Sequence, residues 1–200
     1  MRKTVYGGNM KIRDALRVAS VIALLFSASC STTYTLYSVN IFNGRSALKQ
    51  GNYEDAKRYF FEAAEQIRDA RSLAYLASAE YKINDLDGAE KIIREAEKAD
   101  SKYQGFSHLR ILGYKALILL KKHNSEGFDA LKEYIDAYAC VYPLPTLQEV
   151  DKMWIKKDIR FGLLEKLIEE QVSTYDDDIE QYINTRTGFY QRYPSSGTEF

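Results

Sequence analysis

The feature that most limits how this chain can fold is a self-similarity at a spacing of 33 residues. Leu48 to Ala64 reads as a helix end, a turn at Gly51-Asn52 and a second helix with Ala56, Phe60 and Ala63 on one face. The pattern returns from Tyr81 to Ala96, where Asn84 stands for Gly51, Leu86 for Tyr53, Ala89 for Ala56, Ile93 for Phe60 and Ala96 for Ala63. A third copy follows an excess of eight residues and puts Ala130, Tyr134 and Ala137 in the corresponding places, with Ser125 at the glycine position and Gly127 at the aromatic one. Small residues let two helices cross closely, and the larger residue four positions later fills the space beside the crossing. Glycine suits the left-handed backbone that ends the first helix of a pair. No proline precedes Pro143, so nothing breaks these helices.

This unit resembles the tetratricopeptide repeat (TPR), a helix-turn-helix of about 34 residues. The resemblance implies an all-α fold, an antiparallel helix-pair (TPR-like) solenoid of about three repeats over residues 38–142 with C-terminal capping helices. Pairs are expected at 38–66 and 70–99, then a linker at 101–106 and a helix over 107–122. After Pro143 and Pro145, Thr146 and Glu149 have the spacing of a capping box. Leu147, Val150, Trp154, Phe161, Leu164 and Ile168 recur on one face, as one long helix or two joined near Gly162. Residues 143–187 would then cover the apolar edge of the last repeat. A final helix is expected to start at Asp176-Asp177-Asp178, where carboxylates complement the helix dipole, leaving 188–200 as a loose tail.

The N-terminus reads as a targeting segment. Residues 18–29 are mostly apolar, follow a basic stretch and stop at Cys30, too short to span a bilayer core. Met10 begins a more compact version of the same signal. Ser27-Ala28-Ser29-Cys30 resembles the lipobox of bacterial lipoproteins, with Ser27 where that family prefers leucine. The resemblance implies acylation of Cys30 as the new N-terminus, a short tether at 30–37, and anchoring at the periplasmic face of the outer membrane, since Ser31 is not the inner-membrane-retaining aspartate. Cys140 then has no partner in the chain and reads as a buried small hydrophobe.

The chain has 28 basic and 28 acidic residues, but the first 29 hold Arg2, Lys3, Lys11, Arg13 and Arg17 against Asp14. A chain beginning at Cys30 carries a net charge of −4, so no overall field draws nucleic acid. His108 and His123 are 15 residues apart, read as surface residues, and form no zinc pattern. Asp85-Leu86-Asp87-Gly88 would put Ile83 and Arg94 at ligand positions of a calcium loop, so it reads as a turn. No nucleophile-base motif or phosphate-cradling glycine loop occurs, and no cofactor or metal is expected.

In TPR proteins the first helix of each pair lines the concave surface. By helical spacing that face holds Ser38, Ile41, Arg45, Leu48 and Lys49, then Arg71, Ala74, Ser78, Tyr81 and Lys82, then Leu112, Lys115, Leu119, Lys122 and His123. Six of these are basic and none acidic. The expectation is a groove formed by Arg45, Lys49, Arg71, Ser78, Tyr81, Lys82, Lys115 and Lys122 that takes an acidic segment or a C-terminal carboxylate. The leading functional reading is a non-enzymatic, lipid-anchored scaffold or accessory subunit of an envelope complex that holds a protein or peptide. Two others stay open. The 16 tyrosines among 26 aromatic residues suit a small-ligand cleft in a helical partner of a solute-binding protein or transporter, and a structural oligomer would associate with itself.

Overall fold

The computed structural model describes residues 33–100, 106–141, 146–185 and 187. Cys30, the linker at 101–105 and the tail after 187 lie outside the described residues, as does the side chain of Cys140. Eight helices are described: α1 over residues 33–49, then α2 (Tyr53–Gln66), α3 (Ala70–Lys82), α4 (Leu86–Ala99), α5 (His108–Lys121), α6 (Gly127–Val141), α7 (Leu147–Lys156) and α8 (Phe161–Thr185). Each helix from α2 to α7 packs on the next, and α3 also touches α5; with α1 packed on α2 through Tyr37, Ile41 and Ala47 against Ala56, Phe60 and Ala63, α1/α2, α3/α4 and α5/α6 form three stacked pairs. The result is an all-α, TPR-like helix-pair solenoid with α7 and α8 at its C-terminal end. Among the described residues no helix is long and apolar enough to cross a membrane.

The repeat residues do what their sizes require. Ala56, Ala89 and Ala130 are buried at the pair crossings, and Phe60, Ile93 and Tyr134 are buried beside them. A Cβ on Gly44 would run into the Phe60 ring, so α1 and α2 cross closely at that glycine. All three first helices end in a Schellman motif, with Gly51, Asn84 and His123 at positive φ. The next N–H reaches back to the carbonyl five residues earlier: Asn52 to Ala47, Asp85 to Glu80 and Asn124 to Leu119. Lys157 closes α7 the same way, with Asp158 bonded to Met153. In the third pair the left-handed residue is therefore His123, not Ser125, and Gly127 meets a different need: a Cβ there would sit 2.9 Å from Leu120 Cδ2.

Four expectations are corrected. The stretch assigned to a tether is helical from residue 33, because Tyr37 is buried one turn before Ile41 and its hydroxyl donates to Asp69, the N-cap of α3. Thr146 makes no capping bond. Its hydroxyl instead accepts from Gln171 Nε2 at 3.0 Å, and Gln171 in turn accepts from the Tyr134 hydroxyl at 2.7 Å. No helix starts at Asp176: α8 is one 25-residue helix that passes through the three aspartates, because Leu164, Ile168, Val172, Tyr175 and Ile179 form a continuous buried face at helical spacing. His108 is not a surface residue, since its Nδ1 lies 2.9 Å from Asp100 and only 13% of its side chain is exposed.

The concave face and its charge pairs

Counting back from the three left-handed turn residues gives the true register of the concave face. Two positions before Gly51, Asn84 and His123 stand Lys49, Lys82 and Lys121; six before stand Arg45, Ser78 and Leu117; thirteen before the last two stand Arg71 and Arg110. The face expected on α5 was thus two residues out of step. Lys115 and Lys122 point to the other side of α5, Lys115 reaching Glu97 at 2.6 Å and Glu133 at 3.1 Å, and Lys122 reaching Asp87 and Glu90 at 2.6 Å. They tie α5 to α4 and α6. The reason is the lengthened turn at 123–126, which puts two more residues between the left-handed position and the crossing alanine than in the other pairs.

The remaining basic residues do converge, and they meet carboxylates from α8. Lys82 lies 2.8 Å from Glu169 and 3.3 Å from Glu165. Arg45 lies 2.8 Å from Asp177 and also pairs with Glu180. Lys49 reaches Asp177 at 2.9 Å, and Arg71 reaches Glu180 at 2.6 Å. Deepest in the face, the Arg110 guanidinium donates to Asp176 Oδ2 at 2.6 and 2.9 Å and to Ser78 Oγ at 3.1 Å, while the Tyr75 hydroxyl donates to the same Asp176 oxygen at 2.9 Å. Arg110 also stacks 4.1 Å from the Tyr75 ring centroid.

Helix α8 thus has two working faces: an apolar one against α5, and an acidic one (Glu165, Glu169, Asp176, Asp177, Glu180) against the cations of α1, α3 and α5. A glycine admits the close approach. A Cβ on Gly113 would come 2.9 Å from Ile168 Cγ2 and 3.2 Å from Val172 Cγ2. Burial works against the charge of Arg110, but Asp176 and the phenol oxygens of Tyr75 and Tyr114 outweigh it and raise its pKa. Lys82 follows the same logic, with burial opposed and exceeded by Glu169 and Glu165. Burial holds the Tyr114 phenol protonated up to about 12.

Ser78 and Tyr81, expected on the groove surface, are buried at 0% and 1% exposure; Ser78 bonds the Ala74 carbonyl and Arg110, and Tyr81 packs edge-on to Tyr114. What stays open is a cleft of about 270 Å³ between α8 and the concave face, lined by Arg45, Lys49, Tyr53, Tyr75, Lys82 and Tyr114 among others. Sequence reasoning missed Arg110, Tyr75, Tyr114 and all five carboxylates. One available signal was His123-Asn124, which parallels Asn84-Asp85 at the turn; histidine and asparagine both tolerate left-handed backbone.

No protein-family model matches the sequence, and no curated protein matches it. The fold is similar to a solved structure described as the TPR2B domain of yeast Sti1 in complex with pHsp70, with a TM-score of 0.52 and 16% identity over 68% of this chain and 98% of that one. That likeness is one of fold.

Proposed function

We propose that this chain is a non-enzymatic helical-repeat scaffold, anchored through acylated Cys30 at the periplasmic face of a bacterial outer membrane, that holds a partner protein or peptide by its carboxylates. The observation that carries this reading is the charge pairing within the molecule: the concave face already selects an acidic helix, so the chemistry it recognises is visible in α8. The pairs are not equal. Arg110–Asp176 is buried, whereas Asp177 and Glu180 at the rim keep 50% and 36% of their side-chain surface. Exposed pairs of that kind contribute at most about 1 kcal/mol each. A partner's carboxylates can therefore take Lys49 and Arg71 from the rim acids while the buried pair keeps α8 in place. The complex of the structural neighbour with pHsp70 agrees with a protein or peptide partner. The basic start, short apolar stretch and small residues before Cys30 support the anchor, and an accessory role in an envelope complex follows from the two together.

The test is photo-crosslinking in the native host from a probe at Tyr53, at the mouth of the cleft, with a control probe at the exposed Lys91 on α4. A discrete polypeptide captured from position 53 and not from 91 is the expected result. Equal capture from both positions, or none from 53, overturns the reading.

A second reading rests on the cleft itself, whose three tyrosines and Ser173 suit a small amphipathic ligand. Ligand binding there raises the melting temperature, so a thermal-shift screen in which no metabolite stabilises the protein removes it.

A further inference from the structure

Helix α1 exposes a face unlike that of its neighbours. Tyr34, Leu36, Val39 and Phe42 are 65%, 49%, 47% and 71% exposed. Leu36, Val39 and Phe42 follow one another at three-residue steps and share one side of the helix, with exposed Thr35 and Ser38 beside them. On α2 the exposed positions are Glu54, Asp55, Arg58 and Glu65 together with Phe61, the mixture a watered helix face normally carries. No charged residue stands between Arg17 and Arg45, in a chain that is 28% charged.

We propose that this face of α1 lies in the interfacial layer of a lipid bilayer, as a second membrane contact beside the acyl anchor. The proposal rests on the anchoring of Cys30, and two observations select a bilayer as the occupant. Only Ser31 and Thr32 separate Cys30 from helical Thr33, so at about 3.5 Å per residue Thr33 stays within roughly 10 Å of the point of acylation. The uncharged run means that no ion has to be desolvated as the face enters the headgroup region, and tyrosine and phenylalanine interleaved with hydroxyl residues suit that depth. Acyl attachment gains permanence from a second contact of this kind. The contact would also set the orientation of the solenoid, with α1 at the membrane and α7 facing away.

The experiment uses the full chain produced in a bacterial host and reconstituted in phosphatidylethanolamine/phosphatidylglycerol vesicles that contain lipid brominated near the top of the acyl chains. Trp154 on α7, the single native tryptophan, serves as the distant control, and Phe42→Trp places a reporter in the stripe. The expected result is blue-shifted emission from the Phe42→Trp reporter that is lost in brominated vesicles, with the Trp154 emission unchanged. Mass spectrometry of the same preparation reads acylation of Cys30 separately. An acylated chain whose reporter is not quenched overturns the stripe contact and leaves the anchor standing. A blue shift that depends on protein concentration without quenching assigns the face to a second copy and also overturns it. If Cys30 is not acylated, the anchoring reading fails, and the second contact, which rests on it, is overturned with it.

Discussion

The Arg110 guanidinium and the Asp176 carboxylate, 66 residues apart in sequence, meet at 2.6 and 2.9 Å in the interior, with the Tyr75 hydroxyl on the same oxygen. Removing one member leaves an uncompensated buried charge. Arg110→Met or Asp176→Asn is expected to cost about 3–5 kcal/mol in urea unfolding. Arg110→Met combined with Asp176→Leu removes both charges and is expected to cost less than either single change. A double variant as unstable as the sum of its parts would show that the pair is not coupled.

The seat of α8 on α5 depends on a missing side chain. Alanine stabilises a helix interior relative to glycine by about 1 kcal/mol, but at Gly113 the new Cβ would press on Ile168 and Val172. Overpacking of this kind costs about 1–3 kcal/mol, so Gly113→Ala is expected to lower stability. Gly162, with nothing within 4 Å of its would-be Cβ, is the control: Gly162→Ala is expected to raise stability by up to about 1 kcal/mol. Chemical denaturation of the two variants checks both signs.

Alkaline pH tests the buried tyrosines. Burial raises the pKa of Tyr75, Tyr114 and Tyr134 above the ordinary value, that of Tyr114 to about 12. Their stabilising effect is complete below pH 10, where both states hold the proton. Above pH 10 the unfolded chain has lost protons that the folded chain keeps, so stability falls by about 1.4 kcal/mol per group for each further pH unit. Tyrosinate absorbance followed against pH is expected to show an early rise from the exposed phenols, then a cooperative step that coincides with loss of helical circular dichroism. A smooth titration with the helices intact would contradict the burial.

How much of this was legible in the sequence follows from the range of the forces. The helix pairs, their crossing alanines and the turn at Gly51 were readable, because each is set by contacts within one repeat. The basic stripe on α1 and α3 was readable for the same reason, as Arg45, Lys49, Arg71 and Lys82 sit at fixed offsets from their turns. The stripe on α5 was not, because the third turn is longer and counting from Ala130 rather than from His123 chose Lys115 and Lys122 over Arg110 and Lys121. Hardest to read was the run Asp176-Asp177-Asp178. Near a helix start it would have had a local explanation in the dipole; inside α8 its cause is tertiary, a set of cations supplied by helices more than 60 residues away.

The claim that matters most is that the concave face takes α8 through its carboxylates rather than through shape alone. A double-mutant cycle on Lys82 and Glu169, whose side chains are 17% and 29% exposed, tests it without charge reversal near Glu165. Lys82→Met, Glu169→Gln and the two together are compared with the parent chain in urea unfolding. The account predicts a coupling of about 1 kcal/mol or more, with the double variant clearly more stable than the sum of the two losses. Losses that add within about 0.5 kcal/mol would mean that the face does not read carboxylates, and the proposed partner chemistry would fall with it.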